Sequence, residues 1–102
     1  MNMPRRSLKS ILTKLREMQP ALNTQYGVSG MWVFGSYVRG EQNRASDLDL
    51  LVEFSRPGMT LLRFVDLEMS LSEGLGLKVD LVQRRALHPR IRPRVLEEAV
   101  PV

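Results

Sequence analysis

The sequence predicts a small α/β (α+β) domain in which helices flank a three-stranded, mixed sheet in the order α-β-α-β-α-β-α. Two observations support this prediction. Apolar residues recur at helical spacing along the chain, and short apolar or alternating runs lie between those segments. The chain has 102 residues, which suits one domain over residues 1–102 and leaves no room for two.

A first amphipathic helix is predicted to begin after Ser7, whose hydroxyl is a suitable cap. Pro20 is expected to break this helix because proline lacks the N–H that the helical hydrogen bond needs. A further short turn then reaches Tyr26, and Gly27 ends the helical signal. The apolar residues at helical spacing are Leu8, Ile11, Leu12, Leu15 and Met18.

A first strand is predicted at residues 31–34, which are apolar on both faces, as is typical of a buried central strand. Gly35 and Ser36 end this strand, and a short helix is expected from Ser36 to Gly40. Residues 41–46 are polar and are expected to form a loop.

The next strand has two faces of different character. Apolar residues occupy the even positions, whereas the odd positions open with the carboxylates of Asp47 and Asp49. Because side chains alternate across a strand, one face belongs to the core and the other presents the carboxylates. The even positions are Leu48, Leu50, Val52 and Phe54, and a turn is expected at residues 56–58.

The rest of the chain predicts a helix, a strand and a last short helix. The helix over 60–73 is capped by Thr60 and closed by the glycines at positions 74 and 76. The strand over 77–82 carries Asp80 on its polar face. The apolar residues expected to face inward are Leu61, Phe64, Leu67 and Leu71 in the first of these helices, and Ile91, Val95 and Ala99 in a last helix within 89–99.

The pair Gly35-Ser36 lies where a buried strand turns into a helix, and it is one candidate binding site. Glycine allows a ligand to approach the backbone closely, and the first N–H groups of a helix attract an anion such as phosphate. The Ser36 hydroxyl adds another hydrogen bond. Most Gly-Ser pairs are ordinary turns, so this pair alone leaves both interpretations open.

Three aspartates form the second candidate site. Asp47 and Asp49 share one strand face, where two like charges are costly unless a cation neutralises them. Oxygen ligands suit a hard ion such as Mg²⁺ or Mn²⁺. An isolated pair of this kind is more often a solvent-facing strand start, but Asp80 adds a third carboxylate within a strand, where aspartate is unfavourable.

Composition limits the classes of protein that the chain can belong to. The formal net charge of +4 favours an anionic partner, although solvated surface charge would explain it equally well. There is no cysteine, so disulfides and thiolate metal sites are excluded. No apolar run approaches the length of a membrane span, and the basic N-terminal stretch lacks the apolar segment of a signal peptide. We therefore expect a soluble, cytoplasmic protein.

These motifs together resemble the minimal nucleotidyltransferases of the DNA polymerase β superfamily. The pattern is Gly-Ser, ten residues (positions 37–46), Asp-x-Asp, and a third carboxylate on a later strand. More narrowly, the chain resembles the antitoxins of the MNT–HEPN toxin–antitoxin pairs. The segments that carry the resemblance are Phe34–Gly40, Ser46–Leu50, Val79–Val82 and the closing Glu98–Val100.

The resemblance implies a mechanism and a partner. Gly35 and Ser36 would hold the triphosphate of ATP, while Asp47, Asp49 and Asp80 would hold Mg²⁺ or Mn²⁺, with Asp80 also helping to deprotonate the attacking hydroxyl. The acceptor would be a tyrosine hydroxyl of a cognate HEPN ribonuclease toxin, which adenylylation silences and with which the chain would form a hetero-oligomer.

The role of Arg39 is open at this stage, because its guanidinium could contact a phosphate or pair with a carboxylate that braces the loop.

Two alternatives to protein adenylylation remain open. The chain could keep the site but block its partner only by binding, or it could act on nucleic-acid ends. The three aspartates favour an enzyme over a binding module. The small size leaves no separate domain for gripping RNA, which favours a protein acceptor over nucleic acid.

Several other residues are expected to have packing or surface roles instead of catalytic ones. His88 is expected to be exposed, Trp32 to lie in the core and Tyr37 to have a packing role. The C-terminal arginines could grip an acidic partner or nucleic acid, or could simply be solvated. They are Arg84, Arg85, Arg90, Arg92 and Arg94.

Overall fold

A computed structural model describes residues 6–102 of the chain. The expectation drawn from the basic N-terminal stretch falls partly on residues 1–5, outside the described residues. The elements in chain order are α1 (Leu8–Tyr26), β1 (Val28–Phe34), α2 (Ser36–Arg39), β2 (Leu48–Phe54), α3 (Leu61–Leu75), β3 (Val79–Gln83), a 3₁₀ turn (Arg84–Ala86), α4 (Arg92–Glu98) and β4 (Val100–Pro101).

The sheet has four strands in the order β3-β2-β1-β4, so the expected three-stranded sheet is wrong in number. Its mixed character is confirmed, because β2 pairs in parallel with β3 while β1 is antiparallel to both β2 and β4. The missing strand is β4, which has only two residues, Val100 and Pro101. Such a short segment has no periodicity to read, and proline is tolerated there because β4 lies at the sheet edge.

Helices cover both faces of this sheet. On one face α1 and α3 pack their leucines against alternate strand residues, including Val33, Leu50 and Leu81, to form the main core. On the other face a smaller cluster forms around Leu51, Leu87 and Val95, beneath α4 and the 3₁₀ turn. The alternation predicted for β2 is therefore confirmed, since Leu48, Leu50 and Val52 face the main core.

The helix α1 continues through Pro20, so the predicted break at that residue is wrong. Leu15 and Leu22 are both buried, which means that the helix packs against the core on either side of the proline. Pro20 itself is exposed. Burial of these leucines offsets the hydrogen bond that proline removes. The predicted ends of α1 are confirmed, since Ser7 caps its first turn and Gly27 ends it in a left-handed conformation (φ 74°).

Two residues assigned to inner helix faces lie outside instead. Leu61 is 78% exposed at the start of α3, and Ile91 is 50% exposed just before α4. Both stand at a helix terminus, where a residue can match the helical spacing without reaching the sheet. Thr60 caps α3 as predicted, and the helix ends at Gly76.

In the part of the chain that the structure covers, residues 6–102, we find no helix with both the length and the apolar character needed to cross a membrane.

Candidate active site

The pairing of β2 with β3 brings two of the predicted aspartates together. Asp49 and Asp80 are direct partners in the parallel register. Partner positions on neighbouring strands are about 4.8 Å apart, and their side chains share a sheet face. This face is the one opposite the main core. The sequence prediction that both carboxylates lie on one face is confirmed.

The glycine of the Gly35-Ser36 pair lies directly beside Asp49. Phe34, the last residue of β1, pairs with Asp49 in the antiparallel register. Gly35 then turns the chain with φ 81° and ψ −151°, a conformation that residues with a side chain rarely adopt. A Cβ atom at this position would overlap the Asp49 carboxylate. Only glycine therefore fits where the turn meets the carboxylate.

A short helix follows this turn. Ser36 begins α2, and the Gly35 carbonyl accepts hydrogen bonds from the N–H groups of Val38 at 3.0 Å and Arg39 at 3.3 Å. The Ser36 side chain is only partly buried. Ser36 therefore directly follows the glycine that packs against Asp49, and its side chain is exposed enough for a phosphate oxygen to approach it.

The protein groups around Asp49 disfavour its charged form. Burial raises the pKa of Asp49 to about 6, and the negative charges of Asp80 and Asp47 add to this rise. The Arg39 guanidinium acts in the opposite direction. A cation between the carboxylates would relieve both the burial cost and the repulsion.

Asp47 lies just before β2 and is turned towards solvent. Its Oδ2 atom is 3.7 Å from the Lys78 ammonium, and both side chains are substantially exposed. Within residues 6–102 no three acidic or histidine side chains converge closely enough to form a ready-made metal cage. The donor set still fits Mg²⁺ or Mn²⁺, because these ions usually take one or two carboxylates and complete their shell with substrate phosphates and water.

Arg39 pairs with carboxylates in this structure. Its Nη1 atom donates to Glu98 Oε1 at 2.6 Å, and its Nε atom donates to Glu41 Oε2 at 3.2 Å. These contacts match the bracing role that the sequence left open. A phosphate contact for Arg39 stays a prediction, since the guanidinium is about half exposed beside the turn.

Glu98 was not recognised from the sequence as a residue of the site. Its Oε2 atom accepts a hydrogen bond from the Gly35 N–H at 3.0 Å, and its Oε1 atom accepts from Arg39. Burial alone would raise the pKa of Glu98, but these two hydrogen bonds outweigh it and hold the pKa below its ordinary value. The only sequence signal was its place in the closing Glu98–Val100 segment, because β4 is too short to be predicted.

Residues 8–102 match the sequence pattern of a family described as the nucleotidyltransferase domain. The chain belongs to this family.

Relatives of the family are similar over almost the whole chain. Protein adenylyltransferase MntA of Thermococcus cleftensis is 44% identical over 93 residues, which cover 91% of this chain and 90% of that protein. A solved structure of a minimal nucleotidyltransferase is 42% identical, with a TM-score of 0.78, and the match covers 98% of this chain and 100% of that one. A crystal structure of a toxin–antitoxin with AMP-PNP is 25% identical, with a TM-score of 0.67 over 91% of this chain and 69% of that one.

The residues that were expected to have packing or surface roles lie largely as predicted. Tyr37 is buried in the main core and His88 is exposed, which confirms both predictions. Trp32 is only partly buried. It packs against the smaller cluster, and the Arg84 guanidinium lies 5.1 Å from the centre of its ring. Of the C-terminal arginines, those at 84, 85 and 92 line a cavity of about 750 Å³ at the far end of β2 and β3, together with Arg56.

The raised pKa of Asp49 predicts a gain in stability when its charge is removed. The penalty for the charged form is absent below about pH 4, grows as the pH rises towards 6 and is complete at pH 7. Allowing for solvent screening, we expect Asp49→Asn to raise the free energy of unfolding by about 1 kcal/mol at pH 7 and by nothing near pH 4. Chemical denaturation at both pH values measures this difference.

Glu53→Gln is the matched control, since it removes an exposed carboxylate from the same strand. Its effect should stay within about 0.5 kcal/mol at either pH. An Asp49→Asn variant that is no more stable than the wild type at pH 7 would contradict the electrostatic description of the site.

Proposed function

We propose that this chain is a metal-dependent nucleotidyltransferase that moves AMP from ATP to a hydroxyl group of a partner protein. The observation that carries the proposal is the in-register pair Asp49 and Asp80, with the Gly35 turn packed against Asp49. Membership of the nucleotidyltransferase domain family supports the reaction type. The similarity to protein adenylyltransferase MntA supports a protein acceptor.

The two sides of the site would have different tasks. Ser36 would bind the triphosphate, and Gly35 would let it come close to the turn because it has no side chain. Asp47, Asp49 and Asp80 would hold Mg²⁺ or Mn²⁺. When bound, the divalent cation supplies charge neutralisation to the phosphate oxygens and acidifies a hydroxyl that it contacts. Asp47 would have to release Lys78 to join the other two carboxylates, and their weak, exposed contact at 3.7 Å makes this inexpensive.

The transfer step balances without a further reactant. The acceptor hydroxyl oxygen forms a bond to the α-phosphorus of ATP, the bond to the pyrophosphate group breaks, and pyrophosphate leaves. The hydroxyl proton passes to the Asp80 carboxylate, which is exposed on β3, the outermost strand on that side. Exposure suits this task, because the acceptor must approach from solvent.

For the acceptor we propose a tyrosine of a cognate HEPN toxin, neutralised by adenylylation in the cytoplasm, where ATP is available. A toxin–antitoxin structure with AMP-PNP, 25% identical to this chain, supports both the nucleotide and the kind of partner. We further propose that residues 1–102 act as one nucleotidyltransferase domain within a hetero-oligomer with that partner.

The arginine-lined cavity is the surface that we propose for docking the acceptor protein. Arg92 Nη2 donates to the carbonyl oxygens of Arg85 and Leu87, each at 3.2 Å, and the Arg84 guanidinium lies over the Trp32 ring. These contacts fix the guanidinium groups in advance, which reduces the entropy that binding would cost. Paired carboxylates on an acidic protein surface match such groups well.

Replacement of Asp80 tests the reaction directly. Asparagine keeps the shape of the side chain but cannot accept the proton, so Asp80→Asn should lose transfer by about 10²-fold or more. It should retain ATP affinity better than Asp47→Asn does. Intact-mass spectrometry of the protein encoded by the neighbouring open reading frame, incubated with ATP and Mg²⁺, measures the transfer, and calorimetry measures ATP binding.

Wild-type protein should add one or more AMP groups to that partner. A partner that is inhibited but carries no AMP would show a binding antitoxin instead of an enzyme. AMP on RNA ends and not on the partner would favour the nucleic-acid transferase. Near-normal transfer by Asp80→Asn would remove this residue from the catalytic step.

Replacement of two cavity arginines tests the docking surface. Arg84→Gln with Arg85→Gln should weaken partner binding about tenfold or more and leave ATP affinity unchanged. The matched control, Lys9→Gln with Lys14→Gln, removes the same charge from the exposed surface of α1. If the two variants weaken partner binding equally, the arginines contribute only general surface charge. A selective loss of salt-dependent RNA binding would assign the cavity to nucleic acid.

A further inference from the structure

The Glu98 carboxylate connects the C-terminal end of the fold to the Gly35-Ser36 turn. One of its oxygens accepts from the Gly35 N–H and the other accepts from Arg39 Nη1, so the side chain bridges the two ends of the Gly35–Arg39 segment. The Glu98 side chain is only 19% exposed. The bond from Gly35 is partly buried, whereas the bond from Arg39 is exposed. Hydrogen bonds to an ionised acceptor are among the stronger ones in proteins.

The backbone on both sides of Glu98 is fixed. Before it, α4 is anchored by the buried side chain of Val95. After it, Val100 pairs with Val33 in the sheet, and the Val102 N–H donates to the Met31 carbonyl at 3.0 Å. Glu98 therefore lies between two anchored segments, which set the position of its backbone relative to the sheet.

Both backbone groups of Gly35 are used to hold the turn. Its N–H donates to Glu98, and its carbonyl accepts from the N–H groups of Val38 and Arg39 in α2. Gly35 has φ 81° in the structure. In a free chain, glycine could adopt many other backbone conformations as well. A fixed partner for the N–H selects one of them, namely the one in which Gly35 packs against Asp49.

Glu98 also orients Arg39. The guanidinium is held from two directions, by Glu98 and by Glu41. A guanidinium carries five N–H donors, so bonds to two carboxylates leave donors that can face a phosphate. The two roles considered for Arg39, bracing and phosphate contact, are therefore compatible.

We propose that Glu98 is a positioning residue for the triphosphate: it locks the Gly35-Ser36 turn and Arg39 in the geometry that receives the phosphates. This inference rests on the proposed nucleotidyltransferase function and deepens it. The contrary role for a carboxylate at this place is competition with the phosphates. The partly buried hydrogen bond to Gly35 argues against that role, because withdrawal of the carboxylate would leave the Gly35 N–H without a partner.

The test compares Glu98 with its neighbour Glu97, which is exposed on the same helix and carries the same charge. Isothermal calorimetry with ATP and Mg²⁺ reports the affinity of the folded fraction, and a thermal melt reports folding separately. We expect Glu98→Ala to weaken ATP binding about tenfold or more, the effect of losing a hydrogen bond to a charged group. Glu97→Ala should bind as the wild type does.

Glu98→Gln supplies the conservative variant and keeps the test valid if Glu98→Ala does not fold. Its amide oxygen can still accept from Gly35, so ATP affinity should lie between those of the wild type and Glu98→Ala. In transfer assays both variants should raise KM for ATP more than they lower kcat, because the turn binds the triphosphate in the ground state as well.

Three results would overturn the inference. ATP affinity in both Glu98 variants equal to that of Glu97→Ala would reduce Glu98 to a fold contact. Tighter ATP binding in either variant would show that Glu98 competes with the phosphates. A wild-type protein that binds no ATP would contradict the proposed function itself, and this inference with it.

Discussion

Parallel pairing between β2 and β3 places Asp49 beside Asp80, and the rest of the site is arranged around that contact. The register is set by the main core, since a slip of one residue would turn Leu50 and Leu81 out of it and move both aspartates to the other face. A parallel pair also needs a crossover connection, which α3 provides between the two strands. The same leucines that stabilise the fold therefore impose the repulsion between the carboxylates.

The other side of the site depends on the antiparallel neighbours of β1. Pairing with β2 brings Gly35 against Asp49, and pairing with β4 brings Glu98 to the Gly35 N–H. The Gly35 turn thus lies between two carboxylates: that of Asp49, whose charged form is unfavourable, and that of Glu98, which accepts two hydrogen bonds. Only the first needs a cation, which separates the metal side of the site from the side that positions the phosphates.

Much of the fold and part of the candidate site could be predicted from the sequence, for identifiable physical reasons. The period of two in β2 determined which residues face the core, and it assigned Asp49 to the opposite face before any pairing was known. The missing parts depend on contacts between distant residues. Nothing local to Val100 and Pro101 identifies a strand, and without β4 there is no reason to place Glu98 beside Gly35. The predicted helix break at Pro20 is wrong for the same kind of reason. Burial of Leu15 and Leu22 against distant residues outweighs the tendency of proline to interrupt a helix. The prediction of function depended on the combination of motifs, since neither the Gly-Ser pair nor the aspartate pair is specific alone.

The central claim is that Asp49 and Asp80 form one cation site next to a phosphate-binding turn. The most direct test is a crystal structure with Mn²⁺ and a non-hydrolysable ATP analogue, using the anomalous signal of manganese to locate the ion. We expect an anomalous peak at bonding distance from carboxylate oxygens of both aspartates, with the triphosphate at the Gly35-Ser36 turn. A nucleotide bound elsewhere, or a manganese peak that contacts neither aspartate, would contradict it.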